Sequence, residues 1–182
     1  LKDADPIAFE NVKDTEFLKI AVSKFWEKYG YNTYEGLKPK LAIYASRVEE
    51  AVNEVRPALE RILVDLGIPT NSILLNVGDS KYTKHEDIRN FNNLDVCGSE
   101  GNEKQFIILV DKGKEGWNCR SLFGVAMFRN PNSKIFVLQA TMRCLRQITD
   151  ENHTATIFLS KENYDTLEAE LNKNFNMDIK DI

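Results

Sequence analysis

FIILVDKGKEGWNC, Phe106 to Cys119, is the stretch on which the fold turns. Its apolar run, Phe106 to Val110, stops at a polar turn that carries Gly113 and Gly116. A short, uninterrupted apolar run is how a parallel strand buried on both faces looks when it ends at a functional loop. The two glycines permit a tight backbone or the close approach of a ligand.

Outward from that strand the chain alternates strand and helix. Asp14 or Thr15 opens a helix to about Tyr29, with Phe17, Ile20, Ala21, Phe25 and Trp26 on its apolar side and Gly30 ending it. Leu41 to Ala45 reads as a strand. Val48, Val52, Val55, Leu59, Ile62 and Leu66 follow at helical steps, Pro57 kinks the solvent side, and Gly67 and Pro69 stop the helix. Ser72 to Val77 is a strand, Lys84 to Asn92 a short helix, and Asn93 to Lys104 a polar, irregular, mobile loop. The strand Gln105 to Val110 leads into the glycine-bearing turn. Leu122 to Phe128 is another apolar run, closed by a turn at Asn130-Pro131-Asn132, and a helix starts near Ser133. Thr154 to Leu159 is the last strand, and Ser160 caps a final helix with Tyr164, Leu167, Leu171 and Phe175 on one face.

This alternation predicts an α/β fold, a three-layer αβα sandwich around a mostly parallel sheet with right-handed crossovers. The expectation is one domain, residues 13–182, with residues 1–12 as a linker from a preceding domain. In such sheets ligands bind beyond the carboxyl ends of the strands. That rule singles out Ser46-Arg47, Gly78-Asp79-Ser80, Asp111 to Asn118, and Arg129 onward.

QATMRCLR, Gln139 to Arg146, supplies the chemistry. Gln139, Arg143 and Arg146 fall at i, i+4 and i+7, one face of a helix, while Leu138, Met142 and Leu145 repeat the spacing about 100° round it. One stripe is then buried and its neighbour presents an amide and two fixed positive charges. Guanidiniums fork onto phosphate oxygens and stabilise charge that develops in phosphoryl transfer. Salt-bridging arginines on an ordinary amphipathic helix are the plainer alternative.

With these two segments, the chain resembles the second RecA-like domain of superfamily-two helicases and translocases of the DEAD/DEAH type, closest to the helicase-type subunit of type III restriction enzymes. KEGWNC, Lys114 to Cys119, resembles motif V, QATMRCLR resembles motif VI with its Q-x-x-x-R-x-x-R pattern, and KLAIYAS, Lys40 to Ser46, stands where motif IV belongs. The resemblance spans roughly Lys40 to Ser160. It implies that Arg146 is the arginine finger, that Arg143 is the other phosphate-facing arginine, and that Gln139 links the γ-phosphate region to the rest of the site. Gly116 matches the motif V glycine. Asn118 replaces the Asp of many relatives, keeping a hydrogen bond but losing the charge. Val110-Asp111 stands where relatives carry Thr or Asn on the nucleic-acid backbone, so that contact passes to Lys112 or to backbone N–H groups. Ser46, Arg47 and Lys112 are the DNA-phosphate candidates, contacts that position and do not specify sequence. Ser46 is equally placed to cap the helix that follows. Trp117 is placed either to stack on a base or to fill an interface.

No GxxxxGK[ST] and no DExx-type acidic pair occurs in the chain. In the resembled family these belong to the first RecA-like domain, which binds ATP and magnesium, and hydrolysis takes place between the two domains. This chain would supply the far wall and be inactive alone. The implied partners are that first domain, DNA through its phosphates, and a modification or specificity subunit.

Composition is that of an ordinary globular domain, 182 residues with 42% hydrophobic and 29% charged. A net charge of −4 argues against an independent nucleic-acid-binding module, though not against a few local contacts. Cys97, Cys119 and Cys144, with no CxxC pair and two histidines, favour a reducing compartment, the cytoplasm, over a zinc site or a disulfide framework. No apolar run reaches membrane-spanning length and no signal peptide is visible. The sequence starts at Leu1, and the expectation is a segment cut from a longer chain. Two other readings remain open. One is a non-catalytic RecA-like interaction domain. The other is a PD-(D/E)xK-type nuclease using Asp111, Glu115 and Lys112, disfavoured because all three share one loop.

Overall fold

Every strand of the sheet runs in the same direction, in the order β1-β6-β5-β2-β4-β3. The computed structural model describes residues 2–9, 14–78, 81–110, 119–129, 134–145, 148 and 151–182. The strands are β1 (Asp3–Phe9), β2 (Lys40–Ala45), β3 (Ile73–Asn76), β4 (Phe106–Val110), β5 (Leu122–Met127) and β6 (Thr154–Ser160). The helices are α1 (Asp14–Tyr29), α2 (Val48–Glu50), α3 (Arg56–Leu66), α4 (His85–Asn92), α5 (Lys134–Arg143) and α6 (Lys161–Phe175).

Alternation along each strand divides the core in two. Leu41, Ile43 and Ala45 face the layer made by α1 and α3, together with Phe106, Ile108 and Val110. Ala42 and Tyr44 face the other layer with Ile107 and Leu109, against α5, α6 and Phe91 of α4. These are the period-2 faces of strands buried on both sides. Burying each such large side chain stabilises the fold by about 1.5–3 kcal/mol. Gly124 lets α1 come this close: a Cβ there would meet Leu41 Cδ1 at 2.8 Å and Phe25 Cδ2 at 3.0 Å.

The path over the sheet is consistent in hand. From β1 to β2 and from β2 to β3 the chain moves one way along the strand order, over the α1/α3 face. From β3 to β4 and from β5 to β6 it returns over the opposite face. Outward over one face and back over the other gives all four helix-bearing crossovers a single hand, as packing of twisted strands requires. The helix after β2 and the helix after β5 therefore leave on opposite faces. Between the carboxyl ends of these neighbouring strands lies the crevice that doubly wound sheets use for ligands.

The structure departs from the sequence reading in four places. Residues 1–12 were expected to form a linker, but Asp3–Phe9 is an edge strand paired in register with Thr154–Ser160. Its Asp3 and Asp5 are polar enough to hide the strand from an apolar-run search. The helix through Pro57 is not simply kinked. It contains one π turn, Ala51–Val55, where the Arg56 N–H reaches back to the Ala51 carbonyl. A proline removes an amide donor and crowds the carbonyl four residues back, and the wider turn relieves both. The added residue per turn shifts the apolar stripe, so Leu63 is buried and Leu66 is exposed. Gly67 then closes the helix at φ 72°, as expected of a left-handed cap.

The segment Asn93 to Lys104 is tied down rather than loose. Asp95 accepts hydrogen bonds from Ser121 Oγ (2.6 Å) and the Arg120 N–H (2.6 Å), and Asn102 accepts from Lys40 Nζ at 2.8 Å. Finally, α5 stops at Arg143. Cys144 and Leu145 donate to carbonyls three residues back, a tightened turn that leaves the α-helical phase. The expected i+7 member, Arg146, lies outside the described residues. Ser160 does cap α6, accepting the Asn163 N–H at 3.1 Å.

Candidate functional site

The crevice predicted by the topology is present as a cleft of about 500 Å³. Phe9 from β1, Asp14 and Phe17 from α1, Ser46 and Arg47 after β2, Met127, Phe128 and Arg129 at the end of β5, Ser160 at the end of β6 and Glu162 from α6 line it. The β5–β2 ladder runs one rung beyond the strands, the Phe128 N–H donating to the Tyr44 carbonyl at 3.0 Å, and this fixes Arg129 at the rim.

Ser46 and Arg47, chosen from sequence as phosphate contacts, stand here together. Ser46 is half-buried, and Arg47 is exposed in extended geometry as the residue before α2. Arg47, not Ser46, holds the cap position before α2, and its side chain makes no cap bond. Capping runs the other way: the Ser46 N–H donates to Glu50 Oε1 at 3.0 Å. That amide is therefore committed inside the protein.

The carboxyl-edge rule does single out Arg129, but sequence reasoning gives it no role, and the structure makes it the centre of this edge. Its Nε donates to Asp14 Oδ2 at 2.8 Å, Nη1 to Glu50 Oε2 at 2.8 Å, and Nη1 and Nη2 to the two oxygens of Glu54 at 2.9 Å each. One guanidinium thus joins the end of β5 to α1, α2 and the π turn. The hydrogen bonds that Arg129 donates to Glu54 and Asp14 raise its pKa still further, and the same bond lowers that of Glu54, so both stay charged. The available signal was the spacing of Glu50 and Glu54, four apart on a helix, with Arg129 at a strand's carboxyl end.

The motif VI candidates are placed elsewhere. Helix α5 runs from the carboxyl edge of β5 back toward the amino edge of β6, and the Leu145 carbonyl beyond it accepts the Lys2 N–H next to the start of β1. Arg143, half-buried, is therefore at the opposite edge of the sheet from Ser46 and Arg47, and Gln139 is exposed midway along the helix. Lys112, Gly116, Asn118, Trp117 and the nuclease candidates Asp111 and Glu115 lie outside the described residues.

A second polar cluster at the amino edge was also unforeseen. Lys40 is buried, with Nζ donating to Asn102 Oδ1 and to the Lys38 carbonyl at 2.6 Å, and burial pushes its pKa down to about 8. Lys2 Nζ donates to the Arg120 carbonyl at 2.8 Å, and burial brings its pKa down to about 8 as well. Burial pushes the thiols of Cys119 and Cys144 up to about 12, which makes them poor nucleophiles. Among the described residues no group of His, Cys, Asp and Glu could hold a metal ion, and no helix is long and apolar enough to cross a membrane.

No family model and no curated protein matches the sequence. Solved structures do match its fold. Domain 2 of the DEAD-box helicase Mss116p, bound to an RNA duplex, is similar with TM-score 0.64 and 16% identity, over 98% of this chain and 62% of that one. The E. coli DEAD-box protein SrmB, bound to regulator of ribonuclease activity A, matches with TM-score 0.55 and 13% identity, over 93% of this chain and 85% of that one. The C-terminal part of the Fun30 ATPase domain matches with TM-score 0.51 and 19% identity, over 81% and 43%. The all-parallel, helix-flanked sheet thus has the RecA-like α/β fold, the fold it shares with domain 2 of that helicase.

Proposed function

We propose that this chain is the second motor domain of an ATP-dependent DNA helicase or translocase, of the kind found in type III restriction enzymes. The observation that carries the reading is the likeness of 98% of the chain to a helicase domain 2. KEGWNC and QATMRCLR add to it, standing in family order on either side of β5. In this reading Ser46, Arg47 and Lys112 hold backbone phosphates, and Gln139 and Arg143 face the nucleotide. Gly116 and Asn118 shape the nucleotide wall, and Arg146 is the arginine finger. ATP and magnesium are bound mainly by a first RecA-like domain, a modification or specificity subunit completes the assembly, and the setting is cytoplasmic.

The test is Arg146→Ala in a protein that contains both domains. DNA-stimulated ATP turnover should fall by about 10³- to 10⁵-fold, the usual contribution of an arginine finger, with ATP binding and melting temperature retained. A stable, ATP-binding variant with near-normal turnover would overturn the assignment.

A second reading, a non-catalytic interaction domain of the same fold, is favoured by one observation. In and around the crevice, Asp14, Glu50, Glu54 and Glu162 oppose Arg47, Arg61 and Arg129, an acidic excess unsuited to drawing in phosphates from a distance. It requires that the two-domain protein lack DNA-stimulated hydrolysis altogether, before any substitution.

A further inference from the structure

The three carboxylates on Arg129 are not equivalent. Glu50 is fixed: its carboxylate is 2% exposed, and its second oxygen is held by the Ser46 N–H. Asp14 opens α1, where the helix dipole favours negative charge, and it meets the Nε and Nη2 side of the guanidinium. Glu54 alone takes the outer fork, one oxygen to Nη1 and one to Nη2 in two parallel bonds of 2.9 Å. That is the geometry by which a guanidinium grips a phosphate. Glu54 is also 45% exposed and belongs to the π turn, whose only tie to Arg129 through this residue is a rotatable side chain.

We infer that Glu54 stands in for a backbone phosphate, so that Arg129 is a further nucleic-acid-binding residue of the crevice, gated by Glu54. The inference rests on the proposed nucleic-acid role of the Ser46–Arg47 turn. Arg129 lines the crevice beside Ser46 and Arg47, and it also lines the adjoining depression beside Glu54 and Arg61. A phosphate that displaces Glu54 meets Arg129 with its fork open and Arg47 and Arg61 alongside. Asp14 and Glu50 keep their bonds, so the anchor of β5 survives the exchange. An ion pair this exposed is weakened by water and salt, and a phosphate diester already held by Ser46 and Arg47 competes at high local concentration.

The gate has a signature in salt dependence. In the wild type, Arg129 exchanges one anion for another. The released Glu54 gathers a cation as the phosphate sheds one, so the exchange adds little to the salt slope. With Glu54 made neutral, the same contact releases a counterion outright.

Fluorescence anisotropy with fluorescein-labelled oligo-dT and oligo-U, across a salt series, tests this. Glu54→Gln should tighten binding about 3- to 10-fold at low salt and steepen the log–log salt slope by roughly 0.7, the single-strand value for one phosphate. Glu60→Gln removes the same charge on α3, beyond the π turn, where Glu60 pairs with Arg56, and should change both far less. Adding Arg129→Lys to Glu54→Gln should return affinity toward wild type, since an ammonium still pairs with Glu50 but cannot fork. Melting temperatures confirm that each variant is folded. Equal effects of Glu54→Gln and Glu60→Gln, or an unchanged slope, overturn the gate. Wild-type binding that Arg47→Ala weakens and Glu54→Gln leaves unchanged sinks the gate alone. If neither the wild type nor Glu54→Gln binds either oligonucleotide at low salt, the nucleic-acid reading falls together with it.

Discussion

Arg129 and Glu50 form a 2.8 Å ion pair in which the carboxylate is 2% exposed and the guanidinium 35%. Breaking such a pair from the cation side leaves a buried charge uncompensated. Arg129→Ala should therefore cost on the order of 2–3 kcal/mol, less than a fully buried pair because the guanidinium is partly wet. Glu50→Gln should cost less, since an amide oxygen still accepts from the Ser46 N–H. Urea unfolding of both variants checks the order. A loss smaller in Arg129→Ala than in Glu50→Gln would show that the buried carboxylate does not depend on its cation.

Gly124 offers a packing test at the centre of the sheet. Adding one methyl at this position presses on Leu41 and Phe25 at 3.0 Å or less. Gly124→Ala should destabilise by about 1–3 kcal/mol, the usual cost of overpacking a filled core, and Gly124→Val by more. A denaturation midpoint unchanged by Gly124→Ala would mean that α1 can back away from the sheet freely.

The layers of this fold were legible because buried parallel strands announce themselves as unbroken apolar runs, and β2, β4 and β5 are such runs. The crevice was legible too, since strand ends follow from the runs, and Ser46 and Arg47 do line it. What escaped has a common cause. Strand β1 is read only through its pairing with β6, a contact separated by about 150 residues in sequence. The Arg129 hub draws on Asp14, Glu50 and Glu54 from two distant segments, and the pairing of Lys40 with Asn102 joins two more. Charge partners far apart along a chain leave no periodicity to find. The break of α5 after Arg143 escaped for a local reason: its apolar stripe continues through Leu145 although the backbone has already tightened.

The amino-edge cluster makes stability depend on pH. Lys2 and Lys40 release their protons near pH 8 in the folded chain but near 10.5 when unfolded. Between those values the unfolded chain binds more protons, so stability rises with pH, beginning near 8. The thiols of Cys119 and Cys144 act in the opposite sense. Unfolded they ionise near 9, folded only near 12, so they lower stability above about pH 9. Melting temperature should climb from about pH 8 to about 9 and then level off. Lys40→Met should remove about half of the climb, one of two such lysines. A flat profile from about pH 7 to 9 in the wild type would contradict the assignment.

Hydrolysis should require a second domain. Without a phosphate loop, this chain alone should release no phosphate from ATP with DNA and magnesium present. Turnover that survives purification and disappears in Arg146→Ala would refute this. In the two-domain protein, Arg146→Lys should not restore the rate lost in Arg146→Ala, because an ammonium keeps the charge but not the planar fork. Full rescue by lysine would reduce Arg146 to a point charge.

The pairing of β1 with β6 sets a practical limit on where this domain can be cut. A version beginning at residue 14 would keep every helix but strip one whole ladder from β6, Asp3–Phe9 against Thr154–Ser160. Its core-facing residues, Ile157 and Phe158 among them, would then lie on an unpaired margin open to the strands of other molecules. Such a truncation should be recovered as aggregate rather than as a smaller domain. Seven residues that look like spacer, with Asp3, Asp5 and Pro6 among them, are therefore expected to blunt this margin against pairing with other molecules.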